Sequence, residues 1–299
     1  MELPLESVPN FSEGRDAATI EALRAALARG ADVLDVHSDV DHNRSVFTLV
    51  ADDASLVDAL TAGIACARDR IDLRRHEGAH PRIGAADVVP VVPLDPDDDE
   101  RAQGCALRLA ERIGSELRLP AFLYGRLAPD RGPAFFRRGG PAELQRRIDA
   151  GELRPDFGPG RLDERAGGVI VGARRPLIAF NVNLATADVE VARAIATVVR
   201  EKDGGYPGVR ALGLALPTAG RAQVSMNVED YEAAALHEIV ERIEAEARVR
   251  GVDVAGAELV GLMPAGAAVA AAGALLRIDG FDPSRVLELR LLERLQAQS

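Results

Sequence analysis

Along the first half of the chain, apolar residues recur every three to four residues in some segments and alternate with other residues in others. Ile20, Leu23 and Leu27 are three to four residues apart, which predicts an amphipathic helix. By the same reasoning the pattern predicts strands over 3–8, 31–37, 45–51 and 88–94, with helices over 17–28 and 54–73. This order, β-α-β-β-α-β, is typical of ferredoxin-like folds. An acidic run at 95–100 then opens a helix to about Leu117, and we interpret its charges as an N-terminal cap rather than a metal site.

The second half of the chain repeats the same order of elements. The pattern predicts strands over 177–184, 209–215, 222–228 and 257–262, helices over 188–200 and 231–248, and closing helices over 264–274 and 283–298. Between 121 and 168 the pattern loosens, with many Gly, Pro and Arg residues. We therefore expect an α/β (α+β) fold of two ferredoxin-like β-α-β-β-α-β subdomains, 1–175 and 176–299, with a cleft between them in which a small molecule binds.

Composition excludes several classes of protein. With 299 residues and 47% hydrophobic content the chain can bury a large core, which rules out a disordered protein or a disulfide-stapled miniprotein. A formal charge of −11 argues against a non-specific nucleic-acid binder and against docking on anionic lipids. Two cysteines, Cys66 and Cys105, are too few for a disulfide framework or a cysteine zinc site, and they suit a reducing cytoplasm.

The sequence indicates neither a signal peptide nor a membrane span. Residues 1–10 lack the basic and apolar regions of a signal peptide. The uncharged stretch 259–276 approaches the length of a membrane span, but it is rich in Ala and Gly and contains Pro264. We interpret it as a buried helix and expect a soluble, cytoplasmic protein with no membrane partner.

Histidines are concentrated in one part of the chain, since four of the five lie between 37 and 80. His76 and His80 are four apart, the spacing of two zinc ligands on one helix face. Gly78 and Pro81 favour a loop over a helix, which removes the geometric basis for such a pair. A loop with His and Arg suits acid–base chemistry on an anionic substrate, because imidazole titrates near neutrality and guanidinium pairs with carboxylates. The alternative is a histidine that only bonds to loop backbone.

Three other segments carry polar groups that could line a site. Residues 10–15 lie between the first strand and the first helix, and they match neither a P-loop nor a GxGxxG fingerprint. Residues 39–44 join two strands, either as a turn built on Asp and Asn or as charged groups facing a cleft. Residues 126–154 hold seven arginines against four acids, which could focus an anionic ligand or simply form a solvated surface.

Polar residues also alternate along one strand of the second half. Gln223, Ser225 and Asn227 share one face of the predicted strand, while Val224 and Met226 between them face the core. A polar face on a central strand is unusual unless it lines a cavity, so we interpret these three residues as part of a site.

Ordered motifs extend over nearly the whole chain. They are VPNFSEGR at 8–15, DHNRSV at 41–46, the stretch 76–87, LYG at 123–125, PDFGP at 155–159, VGAR at 171–174, LIAFNVNL at 177–184, AQVSMN at 222–227 and ELVGL at 258–262. This set resembles the glutamate formiminotransferase family, as a single formiminotransferase unit without the cyclodeaminase to which the animal enzyme is fused.

The resemblance implies transfer of a formimino group from N-formimino-L-glutamate to N5 of tetrahydrofolate, in histidine breakdown. It implies His80, the second histidine of the H-x-G-x-H-P-R motif, as the catalytic residue and places the folate-binding loop on 158–167. The family fold has two α/β halves around a cleft and is usually dimeric. Tetrahydrofolate would be the acceptor substrate, no metal is required, and we expect a homodimer without a nucleic-acid partner.

From these motifs we assign roles to individual residues. The expected substrate- and folate-binding residues are Asn10, Asp39, Asp41, Arg44, Arg82, Gly158, Pro159, Gly160, Gly167, Arg174, Gln223, Ser225 and Asn227. The three arginines would clamp substrate carboxylates, and the amides would read pterin or amidine edges. One of the two aspartates would orient His80 and stabilise a cationic intermediate.

The chain departs from the family pattern at three positions. Ser7 replaces a cysteine, His37 aligns with an aspartate near the active site, and Val169 replaces a threonine. These departures permit a related substrate. One alternative is the same reaction with N-formylglutamate as donor, and another is a catalytically silent folate-binding protein. A third alternative is a metal-dependent hydrolase whose metal ligands are His37, His76 and His80.

Overall fold

Two units make up the fold. A computed structural model describes residues 3–296 and divides them into Leu3–Arg175 and the part that begins at Pro176. The final predicted helix, 283–298, ends in residues that lie outside the described range. Among the described residues, no helix is both long and apolar enough to span a bilayer.

The first unit is built on a seven-stranded sheet. Its strands are β1 (Leu5–Ser7), β2 (Asn10–Phe11), β3 (Asp32–Asp39), β4 (Arg44–Ala51), β5 (Ala86–Val92), β6 (Ala121–Gly125) and β7 (Val169–Ala173). Its helices are α1 (Ala17–Leu27), α2 (Asp53–Arg70), α3 (Asp99–Ser115), α4 (Pro133–Arg137) and α5 (Gly140–Asp149). β1 and β2 share one position between β4 and β5, and they pair antiparallel with both. With β3 outside β4, this is the strand order of a ferredoxin-like β-α-β-β-α-β unit.

Two parallel strands extend that unit. β7 pairs parallel with β5, and β6 pairs parallel with β7. Over 121–168, where the sequence pattern loosens, the structure contains β6, α4 and α5, which the sequence analysis did not identify. β6 and α4 are only five residues long, so hydrophobic periodicity has too few positions to register there.

The second unit contains a four-stranded antiparallel sheet of order β11-β8-β10-β9. Its strands are β8 (Ile178–Leu184), β9 (Val209–Leu216), β10 (Arg221–Val228) and β11 (Val254–Val260). Its helices are α6 (Val189–Val199), α7 (Leu236–Val249), α8 (Ala265–Leu276) and α9 (Leu287–Gln296). The order matches a second ferredoxin-like unit, and the mixed α/β fold class predicted from the sequence is confirmed.

Side-chain capping sets where several helices begin. The Asp16 carboxylate accepts a hydrogen bond from the Ala18 backbone N–H, and Asp52 does the same for α2. The acidic run behaves as the sequence predicts: Asp95 caps a single 3₁₀ turn, and Asp99 and Glu100 lie in the first turn of α3.

Two predicted helix boundaries shift for local reasons. α2 ends at Arg70 rather than at 73, because Ile71 adopts an extended conformation before a 3₁₀ turn. α7 begins at Leu236 rather than at 231, because Asp230 closes a turn by accepting hydrogen bonds from the N–H groups of Glu232 and Ala233.

The Ala-rich helix α8 is not buried as the sequence predicts. Only Ala267, Val269 and Gly273 of this helix are buried, while Leu275 and Leu276 are 83% and 63% exposed. Ala267 reaches the core of the second unit, so the helix buries one side only. Because Ala and Gly carry little apolar surface, they leave the burial of a helix undetermined in the sequence.

The sheet of the first unit packs on both faces. Val89 and Val91 of β5 join the core formed with α1, α2 and α3, whereas Val88 joins a smaller cluster that contains Phe136 and Leu144 of α4 and α5. Neighbouring residues of a strand point to opposite faces, so α4 and α5 cover the face opposite α1–α3. This arrangement brings the end of α4 towards the beginning of β5.

The core of the first unit is a source of measurable stability. We expect Leu60→Ala, which removes a fully buried side chain from α2, to lower the free energy of unfolding by about 2–5 kcal/mol. The matched control is Leu107→Ala in α3, where the side chain is 39% exposed and the change should stay within about 0.5 kcal/mol. Urea unfolding followed by circular dichroism measures both, and equal losses would contradict this account of the core.

Candidate functional site

The turn between β3 and β4 is built by two side chains. Asn43 has a φ of +47° and its Oδ1 accepts a hydrogen bond from the Gly14 N–H at 2.9 Å. The Asp39 carboxylate accepts from the His42 N–H at 2.6 Å. Asn tolerates the left-handed conformation, which explains its use here. A Cβ on Gly14 would lie 2.2 Å from the Asp39 carbonyl oxygen, so only glycine allows this close approach.

The segment that carries His80 is a loop, as predicted from Gly78 and Pro81. It follows a single 3₁₀ turn at Leu73–Arg75 and leads into β5. The Ala79 N–H donates to the carbonyl of Asp41 at 2.9 Å, so the loop lies against the β3–β4 turn.

Arg82 ties this loop to the turn. Its Nη1 donates to the Asn43 carbonyl at 3.0 Å, and its Nη2 donates to the carbonyls of His42 and His80 at 2.9 and 2.7 Å. The same Nη1 lies 2.8 Å from Nε2 of His76. These bonds to backbone oxygens give Arg82 a positioning role, and its predicted role as a carboxylate clamp stays a prediction.

Glycines pack at the base of the His80 loop. A Cβ on Gly84 would lie 1.9 Å from the Gly168 carbonyl oxygen, and a Cβ on Gly167 would lie 2.0 Å from the Ile83 carbonyl oxygen. Gly167 also has a φ of +71°, a conformation that favours glycine. The Ala85 N–H donates to the carbonyl of Ala166 at 2.8 Å. The predicted site residue Gly167 therefore supports the loop that carries His80.

His80 lies against Arg44. Nη1 of Arg44 is 2.7 Å from Nδ1 and 2.5 Å from Nε2 of the imidazole, and Nη2 donates to Oδ1 of Asn10. Nδ2 of Asn10 donates to the Val8 carbonyl at 2.7 Å, which fixes the amide. A guanidinium only donates, so the ring nitrogen it meets must offer a lone pair and the imidazole must be neutral.

The electrostatics agree with a neutral imidazole. Burial lowers the pKa of His80 well below 6.5, and the neighbouring cations Arg44 and Arg137 lower it further. Burial also lowers the pKa of Arg44, to about 9, with Arg137 adding to the effect and Asp87 opposing it. The pKa of Arg82 is lowered to about 10, mainly by burial. His80, Arg44 and Arg82, with Arg137 and Asp87 acting on their pKa values, form one buried cluster of coupled charges.

Two members of this cluster are residues that the sequence reasoning did not select. Arg137 ends α4, and its Nη2 lies 2.5 Å from Oδ2 of Asp87. Asp87 is 2% exposed, and its Oδ1 accepts from the Ile83 N–H at 2.7 Å. The sequence pattern starts this strand at 88 and leaves Asp87 in the preceding loop, whereas in the structure β5 starts at Ala86 and Asp87 is a buried strand residue. Carboxylates are seldom buried without a partner, so the earlier start of the strand is what indicates a site.

His42 also belongs to the neighbourhood of His80 and was not selected. Its ring is buried, and the two imidazole centroids are 6.1 Å apart with a tilt of 47°. Asp41 beside it is buried as well. The arrangement places the predicted residues Asn10, Asp39, Asp41, Arg44, Arg82 and His80 in one connected region of the first unit.

A cavity of about 440 Å³ opens beside His80. His76, His80 and Arg82 line it together with Gly140 and Pro141, at the start of α5. This volume lies within the range of small-molecule sites. Glu77 lines the same cavity, so its wall carries both signs of charge beside the imidazole of His80.

The loop 158–160 and Arg174 make their described contacts elsewhere. Gly158 has a φ of +83° and packs on Gly114 of α3 and on the Leu119 carbonyl, while Gly160 has open space around it. Pro159 between them is half-buried. The backbone N–H of Arg174 donates to the carbonyl of Val91, near the end of β5 opposite the His80 loop. The predicted ligand roles of these residues stay predictions.

The polar face predicted for β10 exists in the second unit. Gln223 is 1% exposed, and its Nε2 donates to Oδ1 of Asn183 on β8 at 3.0 Å. Ser225 is half-buried and Asn227 is exposed. Val224 and Met226 join the core on the opposite face, as the alternation predicts. A neighbouring amide, Asn181, donates to Glu258 at 2.9 Å and continues the polar row.

The three departures from the family pattern have different surroundings. Ser7 is fully buried and donates to the Pro90 carbonyl at 2.6 Å, so its hydroxyl has a structural use. Val169 packs in the core shared with α1–α3 rather than in the smaller cluster on the α4 face. His37 lies on β3 opposite Val46.

The contacts of the histidines argue against the hydrolase alternative. His76 faces Arg82 and His80 faces Arg44, and a cation beside an imidazole opposes binding of a second cation. Within 3–296, no group of three His, Cys, Asp or Glu side chains is placed to hold a metal ion.

Comparison with known proteins supplies the family. Residues 4–174 match the family model "Formiminotransferase domain, N-terminal subdomain", and residues 179–280 match "Formiminotransferase domain". Glutamate formimidoyltransferases of Streptococcus pyogenes and Thermoplasma acidophilum are each 40% identical to the chain over 294 residues, 96% of its length and 98% or 97% of theirs. Rat formimidoyltransferase-cyclodeaminase is 37% identical over 271 residues, which is 87% of this chain and 50% of the rat protein. The chain belongs to the formiminotransferase family.

Proposed function

We propose that this protein transfers the formimino group of N-formimino-L-glutamate to N5 of tetrahydrofolate, giving 5-formimino-tetrahydrofolate and L-glutamate. The names of the full-length relatives support the reaction class. The observation that carries the proposal is the neutral imidazole of His80, set among arginines beside a cavity.

His80 would move the proton that the reaction transfers. The formimino group is an amidine, protonated near neutral pH, so its carbon is electrophilic. When N5 attacks that carbon, N5 must lose a proton, and the departing nitrogen of glutamate must gain one. A neutral imidazole can accept the first proton and return it to the second nitrogen, which typically contributes about 10²- to 10⁴-fold. The carbon–nitrogen bond to N5 forms and the bond to glutamate breaks, with no change in oxidation state.

Arg44 would couple donor binding to the freeing of His80. In the structure this guanidinium lies against the imidazole nitrogens and bonds to Asn10, and its Nε has no hydrogen-bond partner within 3–296. A substrate carboxylate is a stronger partner for a guanidinium than an imidazole nitrogen is. Pairing with the carboxylate would release the ring lone pair for proton transfer.

Tetrahydrofolate, the acceptor, would bind to the remaining candidate residues. We assign the folate to the loop 158–167 and to the polar row of Gln223, Ser225 and Asn227, whose amides and hydroxyl suit the edges of a pterin. Asp39 or Asp41 would orient His80 and stabilise the cationic intermediate. We also infer a cytoplasmic homodimer that acts in histidine breakdown.

One observation favours a second donor. The cluster around His80 is cationic, and a positively charged amidine enters it less readily than a neutral amide. N-formyl-L-glutamate carries the same two carboxylates without the positive charge, so it is the alternative donor.

Direct assay separates the two donors. We expect purified protein and tetrahydrofolate to form 5-formimino-tetrahydrofolate from N-formimino-L-glutamate, with a kcat/KM higher than that for N-formyl-L-glutamate. Absorbance of the folate product measures the first reaction, and chromatography measures both. A higher kcat/KM with the formyl donor would show that N-formyl-L-glutamate is the preferred donor. Tight folate binding without turnover would indicate the catalytically silent alternative.

Removal of the imidazole tests the role of His80. We expect His80→Gln to lower kcat about 100-fold or more, because glutamine cannot accept and return a proton. The matched control is His237→Gln, which changes a histidine on α7 of the second unit and should keep kcat within about twofold. Full turnover by the His80 variant, with unchanged circular dichroism, would refute the mechanism.

The low pKa of His80 predicts the acid limb of the pH profile. The neutral imidazole is the active base, so kcat/KM should stay level through pH 6.5 and fall only well below it. In Arg44→Gln the neighbouring positive charge is gone, so the pKa of His80 rises and the acid limb should move to higher pH. Arg44→Lys keeps the charge and should leave the limb near its original position. Identical profiles for all three proteins would contradict the assigned coupling.

A further inference from the structure

We propose that Arg137, held by Asp87, binds a carboxylate of the glutamate part of the donor and so determines the preference for a dicarboxylic donor. This inference rests on the proposed function and deepens it. It concerns one residue at the end of a short helix, in the segment 121–168 where the sequence pattern loosens.

The contact between Arg137 and Asp87 leaves a donor of the guanidinium unused. Nη2 of Arg137 lies 2.5 Å from Oδ2 of Asp87, but the contact is not aligned as a hydrogen bond. Nε of Arg137 is buried and has no acceptor within residues 3–296, whereas Nη2 is already opposed by the Asp87 carboxylate. A buried N–H group without an acceptor costs free energy, so Nε is the donor on this edge of the guanidinium that an incoming acceptor would satisfy.

Asp87 fixes where that edge stands. Its side chain is 3% exposed, and its Oδ1 is held by the Ile83 N–H at 2.7 Å, at the base of the His80 loop. The carboxylate therefore cannot follow Arg137 if the arginine moves. A carboxylate fixed by the backbone holds a guanidinium in one orientation, which lowers the entropy that binding must overcome.

Helix α4 fixes Arg137 from the other side. Phe136 is fully buried, and its ring centroid lies 5.2 Å from that of Phe122 on β6. Arg147 of α5 donates from Nη1 to the Phe135 carbonyl at 2.8 Å and lies over the Phe135 ring. The backbone that presents Arg137 is thus anchored on the sheet and on α5, as a binding residue requires.

Charge identifies the ligand as an anion. Three guanidinium groups, those of Arg44, Arg82 and Arg137, influence one another here, and the buried carboxylate of Asp87 acts on all three. Among neighbouring charges, Arg137 is the one that lowers the pKa of Arg44 most. A carboxylate placed between these arginines would offset that repulsion. A glutamate derivative brings two carboxylates, so one can pair with Arg44 and the other with Arg137.

Kinetics of two substitutions test the assignment. We expect Arg137→Gln to raise the KM for N-formimino-L-glutamate roughly 10- to 100-fold, with the KM for tetrahydrofolate within about threefold, because a charge-assisted pair to the donor is lost. Arg137→Lys should recover only part of the loss, since lysine cannot supply two parallel N–H groups. The matched control is Arg138→Gln, the adjacent exposed arginine, which should leave both KM values unchanged.

Asp87→Asn separates positioning from direct binding. Asparagine keeps an oxygen to accept from Ile83 but removes the charge that holds Arg137. We expect a rise in the donor KM smaller than that in Arg137→Gln, and no further rise when the two substitutions are combined. Fully additive effects would show that Asp87 acts independently of Arg137 and would overturn the positioning role.

A binding measurement distinguishes this inference from the proposed reaction. Titration calorimetry with glutarate, a plain dicarboxylate, should show binding to the unaltered protein and to Arg138→Gln, and weaker binding by at least tenfold to Arg137→Gln. If the unaltered protein fails to turn over N-formimino-L-glutamate but shows this glutarate pattern, the reaction is wrong and the carboxylate site stands. Equal glutarate affinity and equal donor KM in Arg137→Gln and Arg138→Gln would overturn the site. A rise confined to the KM for tetrahydrofolate would also overturn it, by assigning Arg137 to the acceptor.

Discussion

The His80 site depends on the bonds that Arg82 makes to backbone carbonyls. One guanidinium joins the loop that carries His80 to the turn between β3 and β4, by donating to the carbonyls of His42, Asn43 and His80. Neither segment has regular structure that would hold it in place. Hydrogen bonds from a charged donor are stronger than neutral ones, so Arg82 reinforces the backbone bond from Ala79 to Asp41 that joins the same two segments. The position of the imidazole relative to Arg44 follows from this connection.

Burial and neighbouring positive charge give the site its chemistry. Burial and neighbouring arginines keep His80 neutral and lower the pKa of Arg44. The chain as a whole carries a formal charge of −11, so this cationic cluster is a local reversal maintained by the fold. An anionic substrate would stabilise the cluster while it binds, and the free imidazole beside it provides a proton acceptor. Binding and catalysis would then draw on the same set of charges.

Different parts of the fold were predictable to different degrees. Strands of eight residues, such as the largely buried β4 and the alternating β10, give the pattern that identifies both ferredoxin-like units. The short elements β6, α4 and α5 do not, because five to ten residues offer few positions in which a periodicity can be recognised. The exposed side of α8 was also missed, since an alanine surface looks alike whether it faces the core or solvent.

The sequence by itself determined the fold class, the family and the loop that carries His80, because each depends on local periodicity, ordered motifs or the conformational limits of Gly and Pro. Tertiary structure alone decided which charged groups meet. Asp87 and Arg137 are 50 positions apart and become neighbours only when α4 packs on the face of the sheet opposite α1–α3. The bonds of Arg82 to backbone carbonyls could not be read from the sequence, and its predicted role as a carboxylate clamp stays a prediction. A charged side chain pairs with the groups that packing brings near it, and residue spacing along the chain does not reveal which groups those are.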